Sequence, residues 1–323
     1  MKKLCCLLLA AVLLLSLGAC GKKNSEPELV YVDEGTQETE RKPRRDTAIL
    51  YTAGIAERNV DFFAAAQACR DVCTYDYLNG YVGLVDLGGT LDVQGGETAL
   101  YTGLDVMNYM GYEAAVPAPA DFAAGANGMV TAASVAQFPL LCADMTVAGT
   151  DTTPMSAWTL AYYGELCVAY VGVVVPESVD PAQLTDGDVS YELADCAGTL
   201  NEAAAAARMA GAEYVVALVS CGVDDAQQLA AECRGVDALL DGAGDGGASR
   251  TMTGADGSAV LYSGLDPAVD SVGKLVIAAD GTLSAEIITE LPEYSAGMIG
   301  YLASLGYDVE ESAAETTTET TAE

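Results

Sequence analysis

The sequence predicts a layered α/β domain, of α/β or α/β/β/α type, on three observations. Short apolar runs alternate with segments of helical spacing from residue 48 to residue 241. The run at 81–86 is apolar on both faces, as in a strand covered on each side. Late hairpin-like runs follow, one of them turning at Asp280-Gly281.

The elements follow in order. Residues 48–52 (AILYT) make a first strand, and the loop AGIAERN leads into an alanine-rich helix over 60–73. Strand 81–86 (YVGLVD) runs into a glycine-rich loop over 87–96. Over 97–110, Leu100, Leu104, Met107 and Met110 recur at helical spacing, and Gly111 supplies a stop. A short strand at 113–116 meets the loop PAPADFAAG, and 127–137 reads as a helix. Segments 139–143 and 157–175 are strand-like, the latter turning near Gly164 and closed by Pro176. Helix 200–209, strand 214–220, a helix after Val223 and strand 236–241 continue the alternation. Strand 259–263, a hairpin over 274–289 and a helix over 293–305 complete the domain. ALYTGLD at 99–105 recurs as VLYSGLD at 260–266, in two different expected contexts, so the repeat is read as coincidence.

The two ends read differently. Lys2 and Lys3 precede an apolar run over 4–17, and Leu17-Gly18-Ala19-Cys20 follows. This combination reads as a bacterial lipoprotein signal over 1–19, cleaved before a lipidated Cys20. The apolar run is shorter than the roughly 20 residues that span a bilayer. Residues 20–45 are polar, end in Arg41, Lys42, Arg44 and Arg45, and read as a flexible tether. The expected location is the bacterial cell membrane, on its extracytoplasmic side, with the lipid on Cys20 as the membrane partner. The folded domain is expected over 46–310, and the Thr/Glu tail at 311–323 reads as disordered.

Composition narrows the chemistry. The chain has net charge -33, from 47 acidic and 14 basic residues, which sets nucleic-acid backbone binding aside. It contains no histidine, so the usual zinc ligands, the usual general base near neutral pH and the Ser-His-Asp or Cys-His arrangements are absent. Beyond the signal and Cys20, cysteines stand at 69, 73, 142, 167, 196, 221 and 233, an odd set without a CxxC or zinc-knuckle spacing. They read as small apolar residues, and Cys221 as a nucleophile would lack a histidine base. The loop GGTLDVQGG lacks the Lys-Ser/Thr ending of a P-loop, and DGAGDGG lacks the spacing of an EF-hand.

The run ILYTAGIAERNV, GLVDLGGTLDVQGG, VMNYMGYEAAVPAPADFAAG, FPLLCADM, VAYVGVVVPE, VVALVSCGVDD, VDALLDGAGD and VGKLVIAADGTLSAEII resembles the N-terminal domain of the 5'-nucleotidase family, within the calcineurin-like metallophosphoesterases. The resemblance covers residues 46–290. It implies a four-layer α/β/β/α sandwich and, in active members, a two-metal centre that cleaves phosphate esters.

The same resemblance locates the departures. The family's Asp-x-His positions read Gly54 and Ala56, and its bridging aspartate reads Gly89. Its Gly-Asn-His-Glu motif has become Ala118-Pro119-Ala120-Asp121. Ser220, and Ala243 with Asp245, stand where the family carries further histidines. Glycine and alanine cannot coordinate through side chains, and a two-metal phosphoesterase needs both ions to activate water. The expectation is a non-catalytic binding or structural module without a cofactor, whose protein or small-molecule partner the sequence does not name. The alternative is a hydrolase using a divalent cation on a relocated carboxylate site, for which Asp86, Asp121, Asp241 and Asp245 are the candidates, with Asp92 beside them. On the blander reading Asp86 and Asp241 brace their loops and the other acids are solvated. A third reading, a two-lobed solute-binding lipoprotein, would show a hinge and no central sandwich.

Overall fold

A computed structural model describes residues 44–55, 61–77, 80–90 and 97–307. The signal, Cys20, most of the tether, Ala56, Asp92 and the tail lie outside the described residues.

The chain opens with β1 (Thr47–Thr52), α1 (Asp61–Asp76), β2 (Tyr81–Asp86), α2 (Glu97–Met110) and β3 (Ala114–Ala115). A 3-10 turn at Pro119–Ala124 leads to α3 (Ala126–Val135), β4 (Met145–Val147), β5 (Trp158–Tyr163) and β6 (Leu166–Gly172). Then come β7 (Thr185–Asp186), β8 (Val189–Leu193), α4 (Cys196–Met209), β9 (Tyr214–Val219), α5 (Val223–Glu232) and β10 (Ala238–Asp241). The strands β11 (Arg250–Thr253), β12 (Ala259–Gly264), β13 (Val272–Ile277) and β14 (Leu283–Ile288) precede α6 (Ala296–Ser304).

Three sheets result. The first has the order β14-β13-β1-β2-β3, with β1, β2 and β3 parallel and β13 antiparallel to β1. The second has the order β11-β12-β10-β9-β6-β5, with β6, β9, β10 and β12 parallel. A small ribbon, β4-β8-β7, lies apart in the strand order.

The alternation of side chains explains the layering. Ile49 and Tyr51 of β1, Val168 and Tyr170 of β6, Val216 and Leu218 of β9, and Leu240 of β10 belong to one buried cluster. Ala169, Val171, Val215, Ala217, Val219 and Leu239 point the other way and pack with Leu200 and Ala204 of α4 and Ala226 of α5. Successive residues of β6, β9 and β10 therefore bury on opposite faces, and both faces of that sheet are covered. The first sheet is covered on its far side by α1, against which α6 packs. The result is the four-layer α/β/β/α sandwich. The Tyr51 hydroxyl donates to Ser263 Oγ at 2.6 Å and so ties β1 to β12 across the sandwich. A core shared by both sheets is incompatible with two lobes about a hinge.

Some elements differ from the sequence reading. α4 begins at Cys196 rather than at Leu200, because the Asp195 carboxylate accepts from Gly198 N at 2.9 Å and caps the helix four residues earlier. Residues 139–143 form no regular strand: Leu140 and Leu141 make single bridges to Ala115 and Ser156 in turn. PAPADFAAG, read as a loop, winds into the 3-10 turn. The polar strands β7 and β11 carry little apolar alternation to announce them, whereas β8 (VSYEL) alternates but is short, and the sequence reading does not include it. The repeated heptapeptide is helical in α2 at 99–105 and begins as strand in β12 at 260–264, so its copies share no structure.

Candidate functional site

Parallel strands direct their carboxyl ends, and the loops that follow, to one end of a sheet. In this chain those loops carry Gly54 after β1, Gly89 after β2, Asp121 after β3, Ser220 after β9, and Ala243 with Asp245 after β10. The two sets of loops touch. A Cβ placed on Gly242, after β10, would lie 2.6 Å from Leu87 O and 3.1 Å from the Ala53 Cβ.

Most of the altered positions contribute backbone. Gly54 has φ +64° and donates its N–H to Gly88 O at 2.8 Å. Gly89 has φ +67°, and a Cβ there would lie 3.1 Å from Gly54 Cα. Pro119 and Ala120 sit in the 3-10 turn, with Ala120 exposed. Ser220 is half-buried, as is Ala243, whose N–H donates to Asp241 Oδ1 at 3.0 Å.

The carboxylates fall into three arrangements. Asp86 is buried at the end of β2. Its Oδ1 accepts from Gly88 N at 2.9 Å, and its Oδ2 accepts from the Thr52 and Thr90 hydroxyls at 2.7 Å each. Burial pushes its pKa up to about 7, against the pull of those donors, and the neighbouring charge of Asp121 adds to the rise. Asp121 belongs with it: its Oδ2 accepts from Ala118 N at 2.7 Å and Gly89 N at 2.8 Å. Asp121 is only 1% exposed, which corrects its reading as a solvated acid. The 3-10 turn, which places this side chain under the chain's own N–H groups, was not foreseen in that loop.

Asp241, fully buried at the end of β10, is the second arrangement. Its Oδ1 accepts from the backbone N–H groups of Cys221, Gly222 and Ala243, and its Oδ2 from the Tyr262 hydroxyl at 3.0 Å. The third is Asp245, which is exposed and pairs with Arg250 at 3.1 Å. The Arg250 guanidinium lies 4.8 Å from the centroid of the Tyr262 ring. Asp86 and Asp121 are thus brought together, while Asp241 and Asp245 are each committed elsewhere. Cys221 is half-buried, and burial with the charges of Asp241 and Asp225 raises its thiol pKa. That is the opposite of what a nucleophilic cysteine needs.

These residues do not fit a pair of divalent cations. A cation needs oxygen lone pairs aimed at it. Here the oxygens of Asp86 and Asp241 and the Oδ2 of Asp121 are met by N–H and O–H groups, the positive ends of dipoles. Gly54, Gly89, Pro119, Ala120 and Ala243 offer no side-chain donor atom in compensation. Among the described residues no group of three or more Cys, Asp or Glu side chains is arranged to hold a metal. The space beside Asp86 and Asp121 is a crevice of about 10 Å³, closed by Leu104, Met107, Phe138 and Leu140.

Sequence reasoning passed over another buried acid, Asp144, which follows the apolar run FPLLCA. It is fully buried and accepts from Val174 N at 3.0 Å, with the Cys142 and Cys196 thiols at 3.4 and 3.5 Å. Burial raises its pKa to about 6. The one available signal was a lone acid directly behind an apolar run. Near it, a more open cleft of about 370 Å³ is lined by Val175, Pro176, Cys196, Leu229 and the carboxylates of Asp195, Asp225 and Glu232. None of the seven cysteines in the described residues forms a disulfide.

No protein-family model and no curated protein matches the sequence. Solved structures do match in fold. A 5'-nucleotidase precursor from Thermus thermophilus superposes with a TM-score of 0.65 at 15% identity, over 81% of this chain and 58% of that one. The sulfate thiohydrolase SoxB from Thermus thermophilus gives 0.64 at 15% identity, over 82% and 61%. The calcineurin-like phosphoesterase YfkN from Bacillus subtilis gives 0.63 at 17% identity, over 82% of this chain and 97% of that one. The chain spans less than two thirds of the first two structures. What it shares with all three is the fold, the sandwich of the 5'-nucleotidase precursor and of the calcineurin-like phosphoesterase YfkN.

Proposed function

We propose that this chain is a lipid-anchored, extracytoplasmic module that keeps a phosphoesterase sandwich without its dinuclear centre and acts by binding or by structure rather than by hydrolysis. One observation carries the reading. The buried carboxylates nearest the strand ends, Asp86, Asp121 and Asp241, accept hydrogen bonds from the chain's own N–H and O–H groups. A hydrolytic metal centre would need such oxygens facing cations and a water. The anchoring part rests on the sequence alone: Lys2 and Lys3, the apolar run and Leu17-Gly18-Ala19-Cys20. A net charge of -33 supports the expectation that nucleic acid is not a partner.

The alternative hydrolase would use Asp86, Asp121, Asp241 and Asp245 together. The pairing of Asp245 with Arg250 and the four donors on Asp241 weigh against that assembly. The deciding experiment is a phosphate-ester panel with added manganese or zinc, run beside elemental analysis of the same sample purified without chelator. The expected outcome is no turnover and no stoichiometric metal. Metal-dependent turnover that Asp86→Asn or Asp121→Asn abolishes would overturn the reading in favour of the alternative.

A further inference from the structure

The mismatch between the fold and its strand-end residues extends to how the two sheets are joined. At Gly242 the loop after β10 runs directly against the loop after β2: an added Cβ would lie 2.6 Å from Leu87 O, 2.9 Å from the Leu87 Cβ and 3.1 Å from the Ala53 Cβ. Leu87 and Ala53 are themselves buried, so the contact is dry on that side. Each strand end is tied to its neighbour: Leu87 N donates to Thr52 O, and Gly242 N to Val219 O, both at 2.8 Å. On one flank Asp241, the residue before Gly242, gathers Cys221, Gly222, Ala243 and Tyr262. On the other, Asp86 and Asp121 gather Thr52, Gly88, Thr90, Gly89 and Ala118.

We infer that the carboxyl ends of the two sheets are joined by an ion-free backbone seam centred on Gly242 and held on each flank by carboxylate latches. The inference rests on the reading that no dinuclear centre is present, and it adds what holds the two halves together instead. A glycine is required because the opposing atoms are backbone or buried Cβ atoms, which cannot swing aside as the end of a long side chain can. The latches are required because the loops after β2, β3 and β9 would otherwise leave buried and half-buried N–H groups unpaired. In this arrangement divalent cations are not ligands of the joint.

The test is amide hydrogen exchange on the full-length chain, in EDTA and in manganese, for the wild type and for Gly242→Ala. In the wild type, protection at Gly54, Gly88 and Gly89 is expected to be the same in both solutions. Gly242→Ala is expected to speed exchange at those three amides about tenfold, although they lie on the opposite sheet. Tyr262→Phe is the milder second variant, should Gly242→Ala fail to fold. It removes one donor from Asp241 and is expected to loosen Cys221, Gly222 and Ala243, with a smaller effect reaching Gly88 and Gly89. Faster exchange at Gly54, Gly88 and Gly89 in EDTA would overturn the inference. So would a folded Gly242→Ala, or failing that a Tyr262→Phe, that leaves the opposite sheet unchanged. Failure of this kind without phosphatase activity would remove the seam alone, whereas metal-dependent turnover would remove the functional reading beneath it.

Discussion

The bodies of the strands and their carboxyl ends tell opposite stories. Along β6, β9 and β10, buried apolar residues alternate between two faces as a covered sandwich requires. At the carboxyl ends of β1, β2, β9 and β10 stand Gly54, Gly89, Ser220 and Ala243, where the resemblance implies metal ligands. On the function proposed above, packing and chemistry are separable in this architecture. The fold depends on many interchangeable apolar contacts, while the metal site depends on a few side chains that cannot be exchanged.

The largest expected effect belongs to the strand bodies. Leu218, fully buried in β9 between the sheets, should cost about 2–5 kcal/mol when changed to Ala, read as a shift in urea midpoint. Ala120→Ser, at an altered but exposed strand-end position, should cost close to nothing. Equal costs at the two sites would break the comparison.

The second effect is a pH dependence. Asp86 has a folded pKa raised to about 7, and Asp144 one raised to about 6. A carboxyl group raised on folding binds its proton more tightly in the native state. Its contribution is therefore full below the unfolded pKa, near 3.8, and is lost as pH rises through the folded value. Stability should decline between pH 4 and pH 8, by on the order of 4 kcal/mol for Asp86 alone. Asp86→Asn, whose side chain no longer titrates, should flatten part of that decline, and adding Asp144→Asn should flatten more. Denaturant titrations at several pH values give the slopes. A wild-type slope of the opposite sign would remove the account of Asp86 as a protonatable brace.

The same division explains how much could be read in advance. Strand bodies were legible because their apolar pattern is local: YVGLVD at 81–86, apolar on both faces, carries its own signal and matches β2 in full. Asp86 and Asp241 could be placed at strand ends by the resemblance. The burial of Asp121 could not, because it depends on a 3-10 turn that aims Ala118 N at its own side chain while Gly89 N arrives from another loop. Asp144 is harder still. Its partners Val174 and Cys196 are 30 and 52 residues away, and no local pattern records such a meeting. β7 and β11 escaped notice because edge strands with exposed polar residues lack the apolar period by which strands are recognised.

A third prediction concerns the latch that both readings of the site share. Asp241→Ala removes the acceptor of three half-buried N–H groups and one buried hydroxyl, and should cost about 2–3 kcal/mol through the donors left behind. Asp241→Asn keeps one carbonyl oxygen and should recover part of that loss. The ratio of the two sharpens the comparison, since a ligand-only role would leave both variants as stable as the wild type in EDTA.

The smallest effect falls on the neighbouring acid, only four residues farther along the same loop. Asp245 is exposed and its partner Arg250 is 40% exposed, so solvent and salt screen the pair. Asp245→Ala should therefore cost under about 1 kcal/mol, and less as salt is added. The structural reason for the contrast is direction. Asp241, itself fully buried, points its oxygens at half-buried backbone N–H groups, whereas Asp245 points at a guanidinium that water can replace. Arg250 should keep its position over the Tyr262 ring when Asp245 is lost, and Tyr262 its hydroxyl on Asp241, since neither contact involves Asp245. Unfolding measurements on Asp245→Ala at low and high salt test this. A loss as large as that of Asp241→Ala would mean that the exposed acid also holds the joint, and the line drawn between latch and surface would have to move outward past Gly244.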